Sequence, residues 1–208
     1  MSDTLPPELR DPIPLFPLQT VLYPAGLLPL RIFEPRYLDM VSESLRNETP
    51  FGIVPIKFGR EVGATPHFYR VGTIATIESW DQGEDGLLNI QVSGGSLFRV
   101  TNHSIRVNRL LIGDIDYLDE PVDAVIPKEF EYLGGLLQEL YENKLEHGPY
   151  KGWHMDSALW VGHRLAEVLP LDISDKVDIL KTVAGIDKLS RIDAYLRQRK
   201  KNLPGSAG

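Results

Sequence analysis

The sequence predicts an α+β chain: a β-rich N-terminal part, closed into a compact barrel or sandwich, followed by a C-terminal α-helical bundle. Three observations carry this. Eleven of the sixteen prolines lie before residue 67, and Pro denies a stretch long helices because it lacks the amide donor. From Phe51 to about Leu118 apolar residues recur with a period of two, as on a half-buried strand. Beyond Pro121 they recur at three and four, the helical spacing. The parts are placed at 1–12 (a flexible N-terminus), 13–120 (β-rich), 121–201 (helical) and 202–208 (a flexible tail).

The one helix expected in the first part runs from Glu34 to Asn47. Pro35 suits a first helical position, Tyr37, Leu38, Val41 and Leu45 share a face, and Pro50 ends the segment. Phe51 to Ile56 and Val71 to Ile77 read as strands rich in β-branched residues. Leu88, Ile90 and Val92 alternate with Asn89 and Gln91, and Phe98/Val100 and Ile105/Val107 repeat the alternation. Asp81 to Gly86 reads as a hairpin loop, its Asp-Gly supplying positive φ. Ser93-Gly94-Gly95-Ser96 reads as a tight turn or bulge between two strands, with an anion-binding nest as the alternative.

In the second part Leu133, Leu137, Leu140 and Tyr141 form one helical stripe. Ala158, Val161, Leu165 and Val168 form another, which Pro170 terminates. Asp172 is expected to cap a third helix bearing Val177, Leu180 and Ala184, with Gly185 as its stop. Asp187 is expected to cap a fourth, carrying Leu189, Ile192 and Leu196 toward the basic end Arg197 to Lys201.

Composition narrows the function. Apolar residues at 42% and charged residues at 25% are ordinary globular usage. The net charge of −7 argues against nucleic acid as a partner, since phosphate binding needs clustered Lys and Arg. Residues 1–120 hold ten basic and sixteen acidic side chains, and 121–208 hold twelve and thirteen. There is no cysteine, which removes disulfides, zinc–thiolate sites, iron–sulfur clusters and a Cys nucleophile. The N-terminus shows no basic region followed by an apolar stretch. The apolar run Val21 to Leu30 is broken by Pro24, Gly26 and Pro29 and falls short of the ~20 residues of a spanning helix. A cytoplasmic protein without membrane contact is expected.

Common catalytic motifs are missing. No Gly-Lys pair exists for a Walker A loop, and neither Gly-x-Gly-x-x-Gly nor Gly-x-Ser-x-Gly occurs. In Asp81 to Gly86, Gly83 takes the place of a second acidic ligand, so a calcium loop is not expected. His147, His154, Asp156 and His163 are candidate metal ligands, but none has the i, i+4 His spacing of a helical zinc site. Surface or loop histidines are the alternative. Trp80, before the acidic hairpin, and Tyr150 and Trp153, in the connector Gly148 to His154, are candidate peptide-binding anchors, because large aromatics on loops supply contact area. Sealing the junction between the two parts is their other possible role.

One run is more specific than these patterns. Pro14-Leu15-Phe16-Pro17-Leu18, Val21-Leu22-Tyr23-Pro24-Ala25-Gly26 and Leu28-Pro29-Leu30-Arg31-Ile32-Phe33-Glu34-Pro35-Arg36-Tyr37 closely resemble the opening signature of the Lon protease N-terminal domain family. The resemblance continues through Gly52-Ile53-Val54, Glu61-Val62-Gly63, Tyr69 to Ala75 and Leu165 to Asp172, covering about residues 13 to 196. Gly95-Ser96-Leu97-Phe98-Arg99-Val100 is similar to the family's Gly-x-x-Arg-Phe segment with Phe98 and Arg99 in reversed order. The resemblance implies a PUA-like barrel followed by a helical bundle. It also implies a standalone substrate-binding domain without the ATPase and Ser-Lys peptidase of the full protease. No catalytic residue and no cofactor is carried over. The expected partners are unfolded or tagged polypeptides, with a protease or chaperone beside them. Arg31, Glu34 and Arg36 are expected to form an ion-pair group that, with Pro35, fixes the strand-to-helix junction. The rival reading is a hydrolase or metal-dependent enzyme built on the His/Asp cluster. RNA binding follows only from the PUA-like analogy, which does not establish function.

Overall fold

The computed structural model describes residues 12–61, 66–144 and 153–201. The expected flexible ends, apart from Pro12, fall outside these residues, as do Tyr150 and His147. The chain divides into two compact units, Met1–Asp119 and Glu120–Gly208.

The first unit contains β1 (Ile13–Leu18), β2 (Leu27–Ile32), α1 (Pro35–Asn47), β3 (Phe51–Phe58), β4 (His67–Phe68), β5 (Val71–Gln82), β6 (Leu88–Ile105) and β7 (Leu111–Tyr117). β1 pairs with β7, β7 with β6, β6 with β5, β5 with β3, and β3 in parallel with β1. These pairings close on themselves, the ring of a small barrel. β2 attaches to the first half of β6 and β4 to the end of β3. Successive β1 residues serve two cores: Leu15 packs with Phe98 and Val54, while Phe16 and Leu18 pack with Phe51, Ile32 and the buried face of α1, Tyr37, Met40 and Val41. That division is what the alternation of strand side chains requires.

The segment Ser93 to Ser96 is no turn. β6 runs unbroken over 18 residues. Gly94 lies opposite Ala75 and Leu97 opposite Thr73, so β6 carries one extra residue, a bulge. Only glycine fits at 94, because a Cβ there would come within 2.1 Å of the Tyr23 carbonyl oxygen. Val107 lies beyond the end of β6 in the turn to β7, fully exposed, so the expected Ile105/Val107 alternation is not a strand face. The acidic hairpin forms as expected, with Gly86 at φ 79°.

The second unit contains a 3₁₀ turn at Lys128–Phe130, then α2 (Glu131–Lys144), α3 (Ala158–Val168), α4 (Ile173–Lys181) and α5 (Gly185–Lys201). Its core includes Leu133, Leu137, Val161, Leu165, Val177, Leu180, Leu189 and Ile192. Ser157 caps α3 by accepting the Trp160 amide at 2.9 Å, and Asp123 accepts from the Leu159 amide and the Ser157 hydroxyl. Three expected stop and cap roles change. Asp172 holds the N-cap position of α4 without a side-chain hydrogen bond. Gly185 opens α5 instead of stopping α4, and it is a glycine because a Cβ there would sit 2.7 Å from the Leu159 nitrogen. Asp187 therefore lies in the first turn of α5, where its charge favours the helix N-terminus. Among the described residues no helix is long and apolar enough to cross a membrane.

Candidate functional site

The junction between β2 and α1 is built from the strand-to-helix signature. Glu34 is the extended residue that ends the strand path, at φ −80° and ψ 132°, and Pro35 supplies the first helical position. Glu34 O accepts from the amides of Tyr37 and Leu38. Arg36 is 6% exposed. It pairs with Glu34 at 2.9 Å and donates to the Arg109 carbonyl at 3.2 Å and the Glu61 carbonyl at 3.5 Å. Its guanidinium lies 4.7 Å from the centre of the Tyr37 ring. Arg31 stands apart from this group. It points away from the core on β2 and pairs with Asp85 in the β5–β6 hairpin. The expected three-residue ion-pair group is thus two separate pairs, because Arg31 and Glu34 leave the chain in different directions.

Beside the junction is a cleft of about 140 Å³ lined by Phe16, Leu18, Pro29, Leu30, Arg31, Ile32, Phe33, Glu34, Tyr37 and Glu61. Phe16 and Tyr37 stack with ring centres 3.9 Å apart, and Phe33 is 52% exposed. Burial pushes the Tyr37 hydroxyl up to about 12, with Arg36 opposing and Glu34 and Glu61 adding to it. At neutral pH the cleft presents a neutral phenol and apolar side chains together with Arg31, Glu34 and Glu61. The Glu61 carboxylate accepts from the Gln19 amide. Among the described residues it forms no ion pair with Lys or Arg. A larger cleft of about 250 Å³, between α4 and α5, is lined by Asp175, Asp178, Arg191 and Gln198 together with Leu171, Ile179, Ala194 and Tyr195.

The aromatic residues singled out by sequence do not form one cluster within either unit. Trp80 is exposed, but on β5 opposite Ile90 and not on a loop. Trp153, in the other unit, is half exposed and meets Tyr141 edge to face at 5.5 Å, with Trp160 at 6.1 Å. His154 is exposed and lies against Trp160. His163 is a core residue on α3, neither surface nor loop. Burial, then Lys188 and Arg164, hold its imidazole well below the ordinary histidine range. Lys188 is buried as well and donates to the Ile179 and Leu180 carbonyls at 2.6 and 3.3 Å; burial pushes it down to about 7. Among the described residues no three His, Asp or Glu side chains converge as metal ligands.

The sequence profile described as the ATP-dependent protease La (LON) substrate-binding domain matches residues 12–198. The chain belongs to this family. The Lon N-terminal domain protein of Xanthomonas campestris, whose crystal structure is known, is 31% identical with a TM-score of 0.72, over 89% of this chain and 98% of that one. The N-terminal domain of Mycobacterium avium complex Lon protease, at 16% identity and a TM-score of 0.58 over 88% of this chain and 97% of that one, shares the fold. Lon protease 2 of Myxococcus xanthus is 29% identical over 68% of this chain and 17% of its own length. Lon protease of Dictyoglomus thermophilum is 22% identical over 91% of this chain and 24% of its own length. The chain thus spans about a quarter or less of the length of these Lon proteases. The residues that line the cleft all lie within the signature segments quoted from the sequence, whose other residues lie elsewhere. Phe16, Leu18, Leu30, Ile32, Phe33, Tyr37 and Glu61 are not among the binding candidates that the sequence suggests. The available signal was Phe33, a large apolar residue held between a strand and a helix, where neither element needs it.

Proposed function

We propose that the chain is a non-catalytic module that binds unfolded or tagged polypeptides, and that the β2–α1 cleft takes an apolar side chain of the client. The observation that carries this is the lining: the Lon-family signature forms an apolar cleft with the half-exposed Phe33 among its walls. Clients of such a module share exposed apolar residues and no common scissile bond, so recognition requires apolar area and no catalytic group. Trp153, with Tyr141 and Trp160, is a second apolar contact surface in the helical unit, and Trp80 a third on the barrel. The module works in the cytoplasm as an adaptor beside a protease or chaperone, without cofactor, nucleic acid or membrane.

Titration of a permanently unfolded, fluorescently labelled model protein against wild type, Phe33→Ala, Trp153→Ala and Trp80→Ala tests the proposal. Phe33→Ala is expected to weaken binding about tenfold with melting unchanged, in line with loss of an aromatic anchor. Wild-type affinity in Phe33→Ala removes the cleft from the site. Cleavage of the client by rigorously purified protein overturns the non-catalytic assignment.

A further inference from the structure

The cleft lies along an open strand edge. β2 pairs with β6 on one side, from Leu27 opposite Ser93 to Ile32 opposite Leu88, and with no other strand among the described residues. The cleft is lined from both faces of β2: Leu30 and Ile32 turn toward the core, while Pro29, Arg31 and Phe33 are exposed. Residues of both parities line this one cleft, as they do where a cleft reaches around the edge of a strand.

The backbone of that edge has a defined parity. The Gly94 amide donates to the Gly26 carbonyl at 2.9 Å, and the register places 26 opposite 94. Residues 26, 28, 30 and 32 thus turn their main-chain groups toward β6, and 27, 29 and 31 turn theirs to the open edge. Proline stands at one of these outward positions, the place where a missing amide costs the sheet nothing. Pro29 withdraws one donor from the edge but leaves its carbonyl. What remains facing out is a short ladder: the amides of Leu27 and Arg31 and the carbonyls of Leu27, Pro29 and Arg31. Such an edge is complementary to one chemical object, an extended polypeptide. Charge narrows it further. Glu34 is neutralised by Arg36 and Arg31 by Asp85, which leaves the Glu61 carboxylate, among the described residues, as the charge of the cleft without an ion-pair partner.

We infer that the client is bound as an added β-strand along β2, with an apolar side chain in the cleft and a neighbouring Lys or Arg directed to Glu61. This deepens the function proposed above and rests on it. Strand addition gives affinity through main-chain hydrogen bonds, which every unfolded sequence can supply, and selects among sequences by alternate side chains. It therefore allows breadth of clients with a preference for apolar segments that carry a basic residue. The interrupted ladder limits the same edge as a template for self-association, since Pro29 prevents a continuous row of bonds.

The test uses a labelled peptide of alternating Leu and Ser with one central Lys, read by fluorescence anisotropy against the whole chain. Two N-methylated versions block alternate amides in opposite phases. Blocking the phase that faces β2 is expected to weaken binding about tenfold, and blocking the other phase less than about twofold. Exchanging the Lys for Glu is expected to weaken binding several-fold at low salt, and Glu61→Gln is expected to abolish that difference. Equal losses in the two phases, or a preference for Lys that survives Glu61→Gln, overturns the inference. Phe33→Ala separates the two levels. If it abolishes binding while the phases are equal, the apolar cleft stands and strand addition falls. If it leaves binding intact, the proposed site itself falls.

Discussion

Glu34→Ala removes the partner of a nearly buried cation, and the structure sets the size of the effect. Arg36 is 6% exposed and Glu34 19% exposed in their side chains. Removing one member of a fully buried pair costs about 3–5 kcal/mol, because the remaining charge is stranded. Here the loss is smaller, about 2 kcal/mol. Water reaches the partly exposed Glu34 position, and Arg36 keeps the Arg109 and Glu61 carbonyls and the Tyr37 ring. For a chain of this size that loss lowers the melting temperature by roughly 4–8 °C. Arg31→Ala is the internal control: its pair with Asp85 is 58% and 45% exposed, and such pairs contribute about 0–1 kcal/mol. The double variant Glu34→Ala with Arg36→Met removes the stranded charge and is expected to recover part of the loss. Urea and thermal unfolding of the four proteins provide the assay. Wild-type melting in Glu34→Ala, or an Arg31→Ala loss as large as that of Glu34→Ala, refutes the reasoning.

Gly94→Ala places a methyl group 2.1 Å from the Tyr23 carbonyl oxygen, so the backbone of Leu22 to Gly26 must move; urea unfolding should show a loss of several kcal/mol, about 3 or more. The helical unit should become more stable as pH rises from about 7 toward 10, by up to about 1.4 kcal/mol per unit, because the unfolded chain holds the Lys188 proton that the folded chain releases near 7. His163 acts in the same direction below its ordinary value near 6.5: the unfolded chain takes up a proton that the folded core refuses, so stability falls on acidification. Denaturation followed by tryptophan emission across pH 5 to 10 should show this slope, and Lys188→Met should flatten the part above pH 7. Above about pH 10 the barrel should lose stability, since Tyr37 keeps its proton until about 12 while the unfolded chain releases it.

Much of the fold was legible because its signals are local. Proline density excluded long helices from the first part, and Pro35 marked the start of α1 at its actual position. The rest depends on contacts distant along the chain. Of the turn and the bulge that Ser93 to Ser96 allows, the bulge forms, and Gly94 admits the backbone of Tyr23, a residue 71 positions earlier. Gly185 resembles a helix stop, yet it admits the first turn of α3. A glycine required for close approach and one required for positive φ look the same in one sequence, because the approaching atom is distant along the chain.

The residues of the candidate site stand in the signature, but their assembly into a cleft was not legible. The signature Leu28 to Tyr37 was singled out for its resemblance, and its charged members were read as one network because they are close in sequence. The alternation of a strand sends Arg31 outward to a hairpin more than 50 residues away, while the helix start turns Arg36 inward beneath Glu34. Phe16 and Leu18, from β1, and Glu61 come from two other places in the chain, and each has an ordinary structural explanation on its own. Tryptophans are the binding residues that a sequence suggests first, since ring size is visible without a structure. An open strand edge is not visible in that way: it is defined by which partner a strand lacks. Pro29 is the one residue that signals it, because a proline inside a regular strand is tolerated where its missing amide faces no neighbour. For this fold, a proline in an otherwise apolar strand that leads directly into a helix is therefore the sequence feature most closely tied to the edge along which a client is proposed to bind.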